Sequence, residues 1–310
     1  MRPDRQPDRP NSLLARVQRA LYYHGVRRLP VGRRAAEVYA CRRFRGLPSH
    51  VRAQRLYRLR EIPRPHYYLG MRRAYELAAQ AGLTRFSVAE FGVAEGSGLL
   101  YLQHIHRALR DHPTYGRIDV QIYGFDTFTG LPELSGAKDG VAMWQAEDFP
   151  ADLKALQARI DPAVVTLVPG LFDETLPQIR TQFADAPLLF VSVDSDLYSS
   201  AKAIFDGLFP DHMPSVSYWY FDDVRLHHFS ERVGELLAID EFNSAPGNPF
   251  HFVPDYLAVR QEEPVPYAYT LKYLYYCIDD EGHARQQADR KSDAPQRLPL
   301  DPKNFTLFAE

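Results

Sequence analysis

The sequence predicts an α/β protein built on a mainly parallel β-sheet with helices on both faces. From about residue 71 onward, apolar strand-like segments alternate with segments of helical periodicity, an order typical of α/β folds. The strand segments are apolar almost throughout, as in parallel strands that are buried on both faces. With 310 residues, 45% of them hydrophobic, the chain is long enough for one large domain and an appendage.

The elements of the first half follow from apolar periodicity and from Gly and Pro punctuation. Apolar residues recur at helical spacing through 71–82, and Gly82 ends that helix. Strands 86–93 and 119–126 are short apolar runs, and the amphipathic segment 99–112 between them is predicted to be helical. In chain order the sequence then predicts helix 152–160, strand 164–170 and helix 176–185.

The second half continues the alternation and then breaks it. In chain order the segments are strand 187–194, helix 200–209, strand 216–223 and helix 231–243. The last two strand segments, 249–254 and 270–278, have little helical sequence between them. Because antiparallel neighbours need no crossover helix, these two strands should form a hairpin-like pair at one edge of the sheet.

The N-terminal segment differs in charge from the rest. Residues 1–73 hold 19 Arg and four acidic residues, a balance of +15; the whole chain is −2, so the remainder carries −17. Helically spaced Leu, Tyr and Val favour packing on the acidic body or a partner subunit over nucleic-acid or membrane binding. We expect a basic helical extension over 1–65, the main domain over 66–280 and a tail over 281–310. The Pro- and Arg-rich residues 1–10 are expected to be disordered.

Composition also limits the compartment. The two cysteines, Cys41 and Cys277, are too few for a disulfide framework or a metal-binding cluster, which favours a reducing compartment. The sequence has no apolar run of about 18 residues and no hydrophobic signal core at its N-terminus. We therefore expect a cytoplasmic protein with no integral membrane association.

Carboxylates occur at the ends of four of the five predicted central strands. The residues concerned are Glu90, Asp126, Asp194, Asp222 and Asp223. In parallel sheets of this kind, ligands bind in the crevice outside the carboxyl ends of the strands. These side chains are therefore predicted to gather in an acidic ligand-binding crevice.

A glycine-rich loop follows the first strand. Its spacing, Gly92-x-x-x-Gly96-x-Gly98, fits neither the dinucleotide fingerprint nor a phosphate-binding P-loop, which disfavours a dehydrogenase. Glycines there let the backbone turn sharply and let a ligand approach the main chain. Glu90 would repel a diphosphate and suits a cation instead. S-adenosylmethionine (SAM) has an ammonium, a sulfonium and no phosphate, and Asp126 is placed to accept hydrogen bonds from its ribose.

Four blocks of the sequence resemble one known family. The macrocin-type sugar O-methyltransferases are similar over about residues 66–277, through EFGVAEGSG, YGFDTFTGLPE, VDSDLYSSAKAIFDGLFP and FDDV…GELLAIDEFN. Those enzymes are class I, SAM-dependent, metal-requiring methyltransferases of antibiotic tailoring. The resemblance implies a Rossmann-like sheet of seven strands in the order 3-2-1-4-5-7-6, with the seventh antiparallel. It also implies an N-terminal helical lid that contributes to a homo-oligomer.

The resemblance implies roles for individual residues as well. The residues that match the SAM site are Glu90, Gly92 and Gly96 for methionine and Asp126 for ribose, with Thr127 and Phe128 bordering the adenosine. The residues that match the metal site are Asp194, Asp222 and Asp223. Magnesium prefers oxygen ligands and keeps water positions that two neighbouring hydroxyls of a small-molecule acceptor could fill.

The implied reaction is methyl transfer to a hydroxyl of a sugar or another natural-product intermediate. Transfer from a sulfonium is an in-line displacement that depends mainly on alignment, while the metal lowers the pKa of the attacking hydroxyl. His227 and His228 are candidate bases for its proton, and Asp194 joins them as a predicted catalytic residue. Asp196 is a further candidate base, with capping of the following helix as its alternative role.

Other interpretations stay open at this point. A metal-independent or N-methyltransferase would use the same SAM pocket and leave the acidic cluster idle. A non-catalytic binding protein would use the basic N-terminal arm. A nucleic-acid substrate is disfavoured, because the acidic crevice would repel a phosphate backbone. Tyr67 and Tyr68 are placed either to reach the cofactor or to pack in the core.

Overall fold

The computed structural model describes residues 47–58, 61–140, 144–224, 232–255 and 274–279, which contain one seven-stranded sheet. The strands are β1 (Arg85–Phe91), β2 (Asp119–Asp126), β3 (Val165–Pro169), β4 (Leu188–Val193), β5 (Val216–Phe221), β6 (His251–Pro254) and β7 (Leu274–Ile278). They lie in the order β3-β2-β1-β4-β5-β7-β6. The predicted α/β class and strand order are therefore confirmed.

Strands β1 to β5 are parallel. β1 pairs with β2 and β4, β2 also pairs with β3, and β4 also pairs with β5. β7 is antiparallel to both β5 and β6, which confirms the predicted antiparallel pair at one edge. All six residues of β4 are buried, as expected for a central strand that is covered on both faces.

Seven α-helices lie within the described residues. They are α1 (Ser49–Arg58), α2 (Pro65–Gln80), α3 (Ser97–Leu109), α4 (Leu153–Gln157), α5 (Phe172–Ile179), α6 (Tyr198–Leu208) and α7 (Gly234–Asn243). α2 packs on β1, β4 and β5, α3 packs on β2, and α6 packs between α5 and α7. Of the helices described, none has both the length and the apolar character needed to cross a membrane.

The side chains of β5 show how the two faces of the sheet are filled. Tyr220 packs against Tyr67 of α2. Trp219 and Phe221 pack against Phe205 of α6. Because alternate residues of a strand point to opposite faces, α2 and α6 cover opposite faces of the sheet.

Two helices begin four or more residues earlier than the sequence pattern predicts. α2 begins at Pro65 rather than at residue 71, because proline suits the first helical turn and the extra turns bury apolar residues on the sheet. α5 begins at Phe172, before the predicted start at residue 176, and its first turn contains two acidic residues that favour a helix N-terminus.

The N-terminal arm is described from residue 47 onward. The backbone N–H groups of Ser49 and His50 donate to the carboxylate of Asp111, just after α3, and His50 Nδ1 lies 2.7 Å from Asp111 Oδ1. This contact agrees with packing of the arm on the acidic body. Residues 1–46 and 280–310 lie outside the described residues, so the lid, the disordered N-terminus and the tail stay predictions.

Candidate functional site

The carboxyl ends of β1, β2, β4 and β5 open into a cavity of about 590 Å³. Among the described residues that line it, eight carry a carboxylate and only Arg64 carries a cationic side chain. The eight are Glu90, Glu95, Asp126, Asp148, Asp194, Asp196, Asp222 and Asp223. A cavity with this charge balance attracts cations and repels phosphates.

The glycine loop bends tightly against the end of β4. Gly92 has a φ of +86°, and a Cβ there would lie 1.8 Å from the backbone oxygen of Asp194, so only glycine fits without a shift of the main chain. Its N–H donates to the Phe125 carbonyl at 3.0 Å, and the Asp194 N–H donates to the Phe91 carbonyl at 2.8 Å. These bonds hold the ends of three neighbouring strands together beside the cavity.

The other two glycines of the loop lie at the start of α3. A Cβ on Gly98 would lie 1.9 Å from Glu90 Oε1, so glycine lets the first turn of α3 rest directly on that carboxylate. Gly96 is the N-cap of α3 and faces Leu156. Gly92 and Gly98 are among the described residues that line the cavity, whereas Gly96, predicted for the methionine site, is not.

Glu90 is a buried carboxylate with one oxygen left for a ligand. Its Oε1 accepts a hydrogen bond from the Tyr67 hydroxyl at 2.6 Å, and Ser192 Oγ donates to that hydroxyl at 2.9 Å. Oε2 has no hydrogen-bond partner in the described part of the chain, although Glu90 is only 1% exposed. Burial raises the pKa of Glu90 to about 7, against the opposing effects of Tyr67 and Arg64. Of the two candidate tyrosines, Tyr67 therefore reaches the site, while Tyr68 is buried in the core.

The residues predicted to border ribose and adenosine differ in their surroundings. Asp126 Oδ2 accepts from the N–H groups of Val93 and Ala94 at 2.7 and 2.8 Å, and Oδ1 accepts from the Phe128 N–H at 2.6 Å. Because a carboxylate has about four acceptor positions, Asp126 keeps about one for a ribose hydroxyl. Thr127 lines the cavity, but its hydroxyl donates to a loop carbonyl at 2.6 Å. Phe128 is buried in the core and is not among the described residues that line the cavity.

Asp194, Asp222 and Asp223, the residues predicted for the metal site, lie together at the ends of β4 and β5. One carboxylate oxygen from each lies within 4.8 Å of the others. Burial and repulsion from the other two carboxylates raise the pKa of Asp194 well above its usual range. Three carboxylates held this close repel one another unless a proton or a cation lies between them.

Asp196 lies in the same cavity with an unusual backbone conformation, a φ of +63°. Its carboxyl interacts with that of Asp223. Burial and repulsion from Asp194 raise the pKa of Asp196 to about 7, and burial and repulsion from Asp196 raise that of Asp223 to about 9. Asp139 caps α6 by accepting from the Ser199 N–H at 2.7 Å. The alternative role of Asp196 as that helix cap is therefore not what the structure shows.

Glu235 is a buried carboxyl that the sequence analysis did not identify. It lies in the first turn of α7 and is fully buried. Oε1 accepts from the Ser195 N–H at 3.3 Å and Oε2 accepts from the Asp223 N–H at 3.1 Å. Glu235 therefore joins the backbone after β4 to the backbone after β5, where the three aspartates stand.

Arg64, at the start of α2, was not identified from the sequence either. Its guanidinium carbon lies 5.1 Å from the centre of the Tyr67 ring, and Nη2 donates to Ser97 Oγ at 3.0 Å. Burial alone would lower the pKa of Arg64, but Tyr67, Glu90 and nearby aspartates raise it on balance. The guanidinium therefore stays charged inside the acidic cavity.

The structure does not describe the two histidines predicted as candidate bases. His227 and His228 fall within 225–231, outside the described residues, so their role as bases stays a prediction.

Two aromatic side chains give the cavity an apolar part. Trp144 and Phe149, whose ring centroids are 5.8 Å apart, both line it.

Comparison with known proteins finds similarity in structure alone. No protein-family model matches the chain, and no curated protein matches it in sequence. The O-methyltransferase NovP has a TM-score of 0.48 and 18% identity, over 69% of this chain and 80% of NovP. The calicheamicin methyltransferase CalS11 has a TM-score of 0.48 and 19% identity, over 82% of this chain and 94% of CalS11. MycE methyltransferase, solved with Mg and SAH, has a TM-score of 0.33 and 14% identity, over 66% of this chain and 47% of MycE.

The residues of the cavity fit both groups expected from the sequence. Three carboxylates with nearby oxygens form the donor set that Mg²⁺ prefers. The buried, unpartnered oxygen of Glu90 suits an ammonium, and the acidic lining suits a sulfonium. Gly92 lets the main chain approach the backbone oxygen of Asp194, and Gly98 lets it approach the Glu90 carboxylate.

Proposed function

We propose that the chain is a SAM-dependent O-methyltransferase that uses a divalent cation, Mg²⁺ in the simplest case, to methylate a hydroxyl of a small molecule. One observation carries this proposal. The three-aspartate cluster and the buried, half-partnered carboxylate of Glu90 line the same cavity, beside a glycine loop. The acceptor proposed is a sugar or another natural-product intermediate, in keeping with the sequence blocks described above.

On the donor side, Glu90 binds the ammonium of SAM through Oε2. Asp126 positions the loop through Val93 and Ala94 and offers its remaining acceptor capacity to the ribose. Thr127 borders the adenosine, and Phe128 supports that segment from the core. When bound, SAM supplies a methyl group made electrophilic by the sulfonium, so alignment of the acceptor oxygen is the main task left to the chain.

On the acceptor side, Asp194, Asp222 and Asp223 hold the cation. A bound divalent cation lowers the pKa of a coordinated hydroxyl. Asp196 lies in the cavity, where it could take the hydroxyl proton, and His227 and His228 stay candidates for the same role. The apolar part of the cavity near Trp144 would exclude water from the reacting atoms.

Binding measurements test the donor assignment. In isothermal titration calorimetry the chain should bind S-adenosylhomocysteine (SAH) with and without Mg²⁺, and it should not bind NAD. Binding of NAD in the absence of SAH binding would contradict the proposal. Strong, steeply salt-dependent binding of RNA or DNA together with no SAH binding would favour the non-catalytic alternative.

Transfer of a labelled methyl group tests the metal assignment. Simple catechols and deoxyhexose glycosides present two neighbouring hydroxyls and are suitable acceptors for a first survey. Activity on any of them should disappear after chelation with EDTA and return with Mg²⁺. Activity that persists through chelation, or methylation of amines in place of hydroxyls, would favour the metal-independent or N-methyltransferase alternative.

A further inference from the structure

Tyr220 is a buried tyrosine whose hydroxyl contacts one of the three clustered aspartates. It lies near the end of β5, two residues before Asp222, and its side chain is 1% exposed. Its hydroxyl donates a hydrogen bond to Asp222 Oδ1, and a phenol has one proton to donate. Tyr220 is not among the described residues that line the cavity, so it reaches this carboxylate from the side that faces the core.

The phenol ring of Tyr220 is held in place by aromatic residues of α2. The His66 ring stacks on it, with ring centroids 4.1 Å apart and an interplanar angle of 16°. The Tyr67 ring meets it edge to face, with centroids 5.9 Å apart. The backbone is also fixed, because Tyr220 pairs with Ser192 of β4 and with Leu274 of β7. Packing therefore sets the direction in which the hydroxyl points.

This hydrogen bond makes the two oxygens of Asp222 unequal as ligands. The oxygen that accepts from the phenol, Oδ1, has less capacity left for a cation, so Oδ2 is the better ligand atom. Coordination through one carboxylate oxygen suits Mg²⁺, which requires a near-ideal octahedron. Ca²⁺ takes about six to eight oxygen ligands and often binds both oxygens of one carboxylate. A carboxylate restricted to one oxygen therefore favours the smaller cation.

We propose that Tyr220 is a positioning residue that limits Asp222 to one coordinating oxygen and thereby favours Mg²⁺ over Ca²⁺ at the three-aspartate cluster. This inference rests on the proposed function, because it concerns the cation that the cluster is proposed to hold. A role in core packing alone would need the ring of Tyr220 but not its hydroxyl. Phenylalanine keeps the ring and removes the hydroxyl, so Tyr220→Phe separates the two roles.

Titration calorimetry of the full chain with MgCl₂ and with CaCl₂ tests the proposal on the wild type, Tyr220→Phe and Tyr218→Phe. Tyr218 is the matched control, because it is a fully buried tyrosine on the same face of the same strand. Its hydroxyl donates to Asp255 at 2.6 Å, a carboxylate outside the three-aspartate cluster. The quantity compared is the ratio of the Ca²⁺ to the Mg²⁺ dissociation constant, because a general loss of stability affects both constants alike.

Tyr220→Phe should weaken Mg²⁺ binding by about 10- to 100-fold, the usual effect of removing a group that orients a metal ligand. It should weaken Ca²⁺ binding by no more than about twofold, because the released Oδ1 lets Asp222 bind the larger cation with both oxygens. The ratio of dissociation constants should therefore fall at least about fivefold. Tyr218→Phe should leave the ratio within about twofold of the wild-type value.

Three results would overturn the positioning role and leave the proposed function standing, provided that the wild-type chain binds Mg²⁺. They are equal weakening of both cations in Tyr220→Phe, no change for either cation, and an equal change of the ratio in Tyr218→Phe. If the wild-type chain binds neither cation, the metal assignment of the proposed function fails, and the positioning role fails with it.

A second measurement needs no variant and decides the question if Tyr220→Phe does not fold, as judged by thermal unfolding. In crystals of the wild-type chain grown with Mn²⁺, Asp222 should coordinate the manganese through Oδ2 alone while Oδ1 keeps the hydrogen bond from Tyr220. Coordination through both oxygens, or loss of the Tyr220 hydrogen bond, would overturn the proposal.

Discussion

Removal of the Tyr67 hydroxyl should weaken SAH binding in a pH-dependent way. In the structure this hydroxyl is the sole hydrogen-bond partner of the Glu90 carboxylate among the described residues, at 2.6 Å from Oε1. Glu90 has a pKa of about 7, raised mainly by burial. Only the ionised carboxylate attracts an ammonium, so the affinity of the wild-type chain for SAH should rise with pH through about 7 and then level off.

The size of the effect of Tyr67→Phe follows from the lost hydrogen bond. A hydrogen bond to a charged group contributes about 1.5–3 kcal/mol, which corresponds to a rise of about one to two units in the pKa of Glu90. At pH 7 the ionised fraction would then fall from about one half to between about 10% and 1%. SAH affinity should fall roughly 5- to 50-fold at pH 7, whereas at pH 9 the deficit should shrink to about twofold or less.

Calorimetric titration of SAH between pH 6 and pH 9 provides the assay. Tyr75→Phe is the matched control, because Tyr75 is a buried tyrosine of the same helix whose hydroxyl lies 2.8 Å from His106 Nδ1. It should leave SAH affinity within about twofold at every pH, since it does not touch Glu90. If Tyr67→Phe weakens SAH by the same factor at pH 6 and pH 9, ionisation of Glu90 does not govern binding and the reasoning is refuted.

Three further predictions concern the loop and the acidic cluster. Gly92→Ala should lower the free energy of unfolding, measured in urea, by at least about 2 kcal/mol more than Gly247→Ala. Both glycines have a positive φ, but only at Gly92 would the added Cβ meet backbone atoms. Equal losses of stability in the two variants would contradict this. Asp222→Asn should raise the melting temperature of the metal-free chain, because it relieves repulsion among the carboxylates. It should also abolish the rise in melting temperature caused by Mg²⁺ and leave SAH affinity within about threefold of the wild-type value. A melting temperature that still rises with Mg²⁺ would argue against the metal site. Glu235→Gln should lower the free energy of unfolding, measured in urea, by about 1–3 kcal/mol, because an amide has one oxygen for two backbone N–H groups. Glu241→Gln, at a partly exposed glutamate of the same helix, should lower the free energy of unfolding by less than about 1 kcal/mol. Equal losses in the two glutamine variants would show that Glu235 does not join the two strand ends.

The sequence was sufficient for the sheet because each central strand is a short, continuous apolar run with clear punctuation. β2 was predicted over 119–126 and is observed over Asp119–Asp126. The start of α2 was predicted at residue 71, six residues after its observed start at Pro65. Such errors arise where tertiary burial decides which of two locally acceptable starts is used.

The acidic site was predictable in outline for a related reason. Asp194, Asp222 and Asp223 follow adjacent parallel strands, so strand order alone brings them together. Arg64 and Glu235 could not be found in this way. Ser97 lies 33 residues from Arg64, and Ser195 and Asp223 lie 40 and 12 residues from Glu235, so no local pattern encodes these contacts.

Phe128 shows a different limit of sequence analysis. Its neighbours in the chain predicted a place beside the adenosine, yet a φ of +61° turns it into the core. A periodic or motif-based pattern does not reveal such a backbone conformation, which for a bulky residue is uncommon.

Anomalous diffraction from crystals grown with Mn²⁺ and SAH would show whether the three aspartates hold a divalent cation beside the donor pocket. We expect one manganese peak within about 2.5 Å of carboxylate oxygens from Asp194, Asp222 and Asp223, with the SAH ammonium at Glu90 Oε2. A manganese peak elsewhere, or SAH bound away from Glu90, would contradict it.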